Sequence, residues 1–190
     1  MSTSRTWFVG NDATRGCSLV ARRNKGPITR LDNATYSLNI ESSERAVLNS
    51  LFDQLRDVLM NDSNSDIARR LFPAAYHQDE QHEAEYQRLM HHELLSSRLT
   101  SLSQTADILG SSPHSEHQDS DHVVISADQL DSLMRSVNSL RLVLGTLLDV
   151  HEDEADLLLD EDDPAYGQLQ LYSYLGWLLD WMVTAQIAAD

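Results

Sequence analysis

From Ser42 onward the large apolar residues recur three and four positions apart, a period that constrains most of the chain to helix. Leu48, Leu51, Phe52, Leu55, Val58 and Leu59 make the first stripe, and Leu95, Leu99, Leu102, Ala106 and Leu109 the second. Leu130, Leu133, Val137, Leu140, Leu144 and Leu147 make the third, and Tyr172, Leu175, Leu179, Met182 and Val183 the fourth. The spacing predicts helices over 42–60, 79–109, 127–148 and 165–187, packed into one core with Trp177 or Trp181 partly buried. Their ends are marked. "NDSNSD" closes the first helix and offers N-caps to the next segment, and Gly110 can stop the second helix. Ser126 with Gln129 forms a capping box, with Ile125 placed to staple onto Leu130. Asp163-Pro164 suits the start of the last helix. A short helix is expected over Asp66 to Leu71 as well.

Before Ser42 the pattern differs. "RTWFV", "GCSLVAR" and "ATYSLNI" read as short strands separated by the turn material "GND" and "NKGP". Tyr36, Leu38 and Ile40 alternate with Ser37 and Asn39, as in a strand wet on one face. The expected fold is mainly α, a helical bundle with a small N-terminal β element, in one domain over 1–190. Within it, 1–40 is a β-containing basic N-terminal arm and 42–109 holds helices with a Phe-Pro elbow. Residues 110–125 form a mobile loop, built on the polar "SSPHSEHQDSDH", and 126–188 the C-terminal helices. Four prolines and seven glycines in 190 residues argue against a loop-rich β fold.

Charge bears on function more than on fold. The chain carries a formal net charge of −16, which excludes a duplex-DNA binder with a broad basic face. Its cations gather early, at Arg5, Arg15, Arg22, Arg23, Lys25 and Arg30. Of these, Arg15, Arg22, Arg23, Lys25 and Arg30 form a candidate DNA-contacting arm, giving weak, salt-dependent or partner-dependent contact. The acidic run Glu152 to Asp163 is either solvated chain or a contact for a basic protein. Cys17, the one cysteine, has no partner for a disulfide within the chain. Arg15, Arg22 and Arg23 near it would favour thiolate, making Cys17 the candidate redox thiol, against the plain reading of a small apolar residue on a strand. "MSTSRTWFVGND" lacks a signal-peptide apolar run, so a cytoplasmic location is expected. Leu171 to Ala189 is long enough to span a membrane, but Asp180 and its helical spacing make it a core-facing helix, and no membrane contact is expected.

One stretch is dense in chemistry: "RRLFPAAYHQDEQHEAEYQRLMHHEL", Arg69 to Leu94. Pro73 cannot continue a helix and pushes Phe72 out of the helical region, so the stretch should bend there. Ile67, Leu71, Phe72 and Tyr76 are spaced to plug a core around the bend, and Glu85 and Arg88 to pair on the surface. Arg69, Arg70, Phe72, Pro73, Tyr76, Glu85, Tyr86 and Arg88 therefore form a candidate elbow, structural or partner-binding. His91-His92-Glu93 is not the H-E-x-x-H zinc motif, because adjacent helical residues point about 100° apart. His114, His117, Asp119, Asp121 and His122 would meet an ion only if their loop curled. Walker, G-x-S-x-G and paired-glycine nucleotide motifs are absent, so no catalytic, cofactor-binding or metal residue is assigned and no enzyme is expected.

Three stretches, the elbow sequence, "SLRLVLGTLLDVHEDE" and "YSYLGWLLDWMV", together resemble an actinobacterial family. It is the AosR-type oxidative-stress regulator family, formerly a domain-of-unknown-function family, and the resemblance runs from about Leu38 to Ala185. It implies a small, mostly helical cytoplasmic protein in transcriptional control of redox homeostasis. It also implies an alternative sigma factor or RNA polymerase subunit as partner, and target genes that supply cysteine and antioxidant thiols. Redox sensing in that family is tied to a disulfide within the chain. Cys17 departs from this, leaving a disulfide-linked homodimer, a mixed disulfide or sulfenic acid as its oxidised forms. Two other readings stand beside this one: an acidic adaptor or scaffold, and a metal-dependent enzyme using the histidines and carboxylates.

Overall fold

A computed structural model describes residues 26–63, 65–111, 122–150 and 162–187. The described chain runs β1 (Ile28–Arg30), β2 (Thr35–Leu38), α1 (Ser42–Asp62), a single 3-10 turn (Arg69–Leu71), α2 (Glu80–Gly110), β3 (Val123–Ser126), α3 (Ala127–Leu147) and α4 (Tyr166–Ile187). The fold is thus mainly α with a small β element, and each of the four helices lies within a residue or two of its expected bounds. Between Asp66 and Leu71 the expected helix is only turns and that 3-10 segment.

The β element differs more. "RTWFV" and "GCSLVAR" lie outside the described residues, whereas β1 directly follows the expected turn "NKGP", in residues assigned to no strand. β2 pairs antiparallel with β1 on one side and β3 on the other, matching Ile28 to Leu38 and Leu38 to Val123. β3 occupies residues assigned to the 110–125 loop. Val123 and Ile125 are buried while Val124 is exposed, an alternation that a four-residue strand is too short to announce. The Asp32 carboxylate shapes the β1–β2 turn, accepting from the Ala34 and Thr35 amides at 2.8 Å each. Nor is β2 wet on one face: Ser37 is buried and donates to Asn39 Oδ1, whose amide in turn donates to the Gly26 carbonyl.

α3 is the central helix and packs against α1, α2 and α4. Leu130, Leu133, Val137, Leu140, Val143 and Leu144 are all buried, facing the buried α1 stripe from Leu48 to Leu59. Ser126 caps α3 through the expected capping box: its Oγ accepts from the Gln129 amide at 3.3 Å, and Gln129 Oε1 accepts from the Ser126 amide at 2.9 Å. Ser126→Ala should cost about 1 kcal/mol in a denaturation curve. Where α2 meets α3 the buried residues include several hydroxyls among the aliphatic side chains. Thr105 Oγ1 donates to Ser136 Oγ at 2.9 Å, Ser132 Oγ to Gln104 Oε1, and Arg98 Nη1 to Ser139 Oγ at 3.1 Å. α2 has 31 residues, roughly 46 Å of helix, but its buried residues all lie from Ser101 onward. On α4 the buried line is Leu175, Leu178, Met182 and Ala185, with Tyr172 and Leu179 partly buried. Val183, expected on that line, is exposed because it sits about 100° around the helix from Met182. No described helix is long and apolar enough to cross a membrane.

Candidate functional site

The bend at Phe72-Pro73 forms as the sequence requires. Phe72 adopts φ −126°, ψ 66°, outside the helical region, and Leu71 and Phe72 turn into the protein. Tyr76 does not. It is 49 % exposed, its ring lying near His82 and Tyr86 rather than plugging the core. The chain after the proline is instead tied down by Glu83, whose Oε2 accepts from the Ala75 and Tyr76 amides at 2.9 and 2.8 Å. Its Oε1 accepts from Gln87 Nε2 at 2.7 Å. The Gln87 side chain and then the Tyr76 amide hold the Glu83 carboxyl below the usual carboxylate range.

This tie has an acid limit. A carboxyl with its pKa depressed on folding contributes fully above the ordinary range, and the contribution is lost as pH falls through the lowered value. Protection of the Ala75 and Tyr76 amides from hydrogen exchange should therefore persist through the ordinary carboxylate range and be lost only as pH falls through the lowered Glu83 value. Glu83→Ala should abolish it at neutral pH. NMR protection factors test both expectations.

Inside the bend the Phe72 ring stacks on His91, centroids 4.2 Å apart, and Arg98 lies 5.7 Å from the ring centre, within cation–π reach. Arg98 Nη2 donates to the Leu71 carbonyl at 2.5 Å, and burial pushes the Arg98 pKa down. Arg70 also turns inward, donating to the Val150 carbonyl at 2.7 Å. Gly145 makes room: a Cβ there would sit 3.0 Å from Arg70 Nη1 and 3.2 Å from the Tyr172 ring.

The eight elbow candidates therefore divide. Arg70 and Phe72 build the interior and Pro73 sets the bend, while Arg69, Tyr76, Glu85 and Arg88 face solvent and Tyr86 is partly exposed. Glu85 and Arg88 make the expected surface pair, bonded through both carboxylate oxygens at 3.0 and 2.8 Å. Glu83, His91 and Arg98 were not among the candidates, yet they hold the elbow. A signal existed, since Gln87, His91 and Arg98 recur at four and seven along α2 and so share a face. Between the turn and α2 lies a cleft of about 570 Å³, lined by Ser63, Ser65, Asp66, Arg69 and Phe72 on one side. Gln87, Arg88, His91 and His92 line the other.

Cys17, Arg15, Arg22, Arg23 and Lys25 lie outside the described residues, as do His114, His117, Asp119 and Asp121. Arg30, the remaining residue of the candidate arm, is engaged in the β1–β2 turn, donating to the Asp32 carbonyl and Asn33 Oδ1 at 3.0 Å each. Among the described residues no group of three or more histidine, cysteine or acidic side chains is placed to hold a metal ion.

A second surface stands out on α4. Trp177 is 47 % and Trp181 36 % exposed, with Val183 and Ile187 also open to solvent. The two indole rings meet edge to face at 6.3 Å, and Tyr174 continues the row at 5.8 Å from Trp177. Gly26 passes beneath Trp181, where any side chain would run into the indole. An exposed apolar face of this kind usually marks an interaction site.

Fold and surfaces together define a small helical bundle with a three-stranded sheet, an internally braced Phe-Pro elbow and an aromatic helix face. Residues 23–186 match the family described as a domain of unknown function, DUF2017, and the chain belongs to that family. No curated protein and no solved structure matches it.

Proposed function

We propose that this protein is a transcriptional regulator of the oxidative-stress and redox-homeostasis response. It acts by docking an alternative sigma factor or an RNA polymerase subunit and promotes genes for cysteine and antioxidant thiol supply. One observation carries the reading: the aromatic face of α4, where Trp177 and Trp181 stand exposed beside Val183 and Ile187. A helix apolar on all sides is normally covered on all sides; among the described residues α4 packs on α3 and, at Trp181, on Gly26, leaving Trp177, Val183 and Ile187 open. The stretch "YSYLGWLLDWMV", one of the three that carry the resemblance to AosR-type regulators, contains Trp177, Trp181 and Val183 of this face beside the buried Leu175, Leu178 and Met182. The net charge of −16 favours a basic protein partner and leaves DNA contact dependent on it. On this reading the protein is cytoplasmic and not an enzyme, and Cys17 is its candidate thiol.

The test is capture of purified sigma factors and core polymerase by the full chain, with and without peroxide. Trp177→Ser should leave the melting temperature nearly unchanged and weaken capture at least tenfold. Cys17→Ser should remove any response to peroxide. Capture that Trp177→Ser leaves intact would overturn the α4 assignment, and capture of neither partner would overturn the regulatory reading.

A further inference from the structure

We propose that the cleft at the Phe-Pro elbow is a binding site for a small oxyanion, a carboxylate- or phosphate-bearing metabolite. The cleft is built from the α1–α2 connection and α2, elements that carry neither Trp177 nor Trp181, so the inference does not depend on the docking reading. In a chain with a net charge of −16, its lining contains Arg69, Arg88, His91 and His92 against one carboxylate, Asp66. The Arg69 guanidinium is exposed and makes no hydrogen bond or ion pair with any described residue. Arg88 is held from the side by Glu85 through Nε and Nη2, which orients the guanidinium and leaves Nη1 unbonded among the described residues. The His91 ring is fixed between Phe72, at 4.2 Å, and Ser63, whose Oγ lies 3.1 Å from Nε2.

The two guanidinium groups are donors, and a guanidinium is the side chain best shaped to grip a carboxylate or phosphate through two parallel hydrogen bonds. Ser63 and Ser65 add hydroxyls on the facing wall. The frame is stiff: Arg98 and Phe72 brace one wall, while Glu83 ties Gln87 to the chain after Pro73. At about 570 Å³ the cleft suits a metabolite rather than a peptide or a polymer.

The experiment is calorimetric titration of the full chain with pyrophosphate and, separately, with citrate, against sodium chloride at matched ionic strength. Either anion should bind saturably with Kd about 1 mM or tighter, and the one that binds identifies the class. Arg69→Gln and Arg88→Gln should each weaken binding at least tenfold. Arg56→Gln, which alters an arginine paired with Asp53 on α1 outside the cleft lining, should not. Circular dichroism establishes that each variant folds. Failure of both anions to bind, binding reproduced by sodium chloride, or equal binding by Arg69→Gln would overturn the proposal. None of these outcomes bears on capture of a transcription partner by α4.

Discussion

Phe72→Ala is expected to destabilise the protein by about 3 kcal/mol, the lower end of the range for truncating a buried phenylalanine. Phe72 is 9 % exposed, and one face of its ring is taken by His91. Removing the ring would leave a void that Pro73 prevents the chain from closing, because the bend is fixed by proline geometry rather than by the ring. His91 would lose its stacking partner and Arg98 the ring beside it. Phe72→Leu retains most of the apolar volume and should cost less than about 1.5 kcal/mol. Urea denaturation of the two variants checks the comparison. A loss below about 1 kcal/mol for the alanine variant would mean that the ring is not part of the core.

Arg98→Met should cost about 2 kcal/mol by the same measurement. Two effects oppose each other. The Leu71 carbonyl and the Ser139 hydroxyl lose a donor, and an unsatisfied buried acceptor costs about 1–3 kcal/mol. Against this, methionine relieves the desolvation of a guanidinium whose pKa burial has already pushed down. The first effect wins because Leu71 is fully buried at the bend, where its carbonyl has no easy route to water. Arg98→Lys should rescue little, since one ammonium cannot reproduce a fork that spans a carbonyl and a hydroxyl on different elements. A cycle combining Arg98→Met with Phe72→Ala should show a coupling of at least about 0.5 kcal/mol, as expected of side chains in contact.

The helices were legible because each carries a long stripe with its own stop signals, and the Ser126–Gln129 box was readable to the residue. β1 and β3 were not, since three or four residues cannot display a period of two against their surroundings. At the elbow, Pro73 disclosed the backbone of Phe72 but not the direction of the chain beyond it. Tyr76, spaced like a core residue, was carried outward by the Glu83 tie. Arg98 was not singled out at all; its role depends on a bend a long way back in the chain, which helical spacing alone does not reveal. α4 misled differently. A helix with apolar residues all round does not announce which line is covered, so Val183 was expected where Leu178 and Ala185 are found.

The hydroxylic contacts between α2 and α3 have a mechanical consequence. Arg98, Gln104 and Thr105 each engage a different serine of α3, at Ser139, Ser132 and Ser136, and so act as the teeth of a key cut to one depth. Sliding α2 by one turn, about 5.4 Å, would unseat all three at once and leave each serine only its bond to a carbonyl of its own helix. Between apolar stripes alone, leucine facing leucine after such a slip would cost far less. The long exposed half of α2 is thus indexed to the body. A displacement of that half along its axis would therefore have to break all three contacts together.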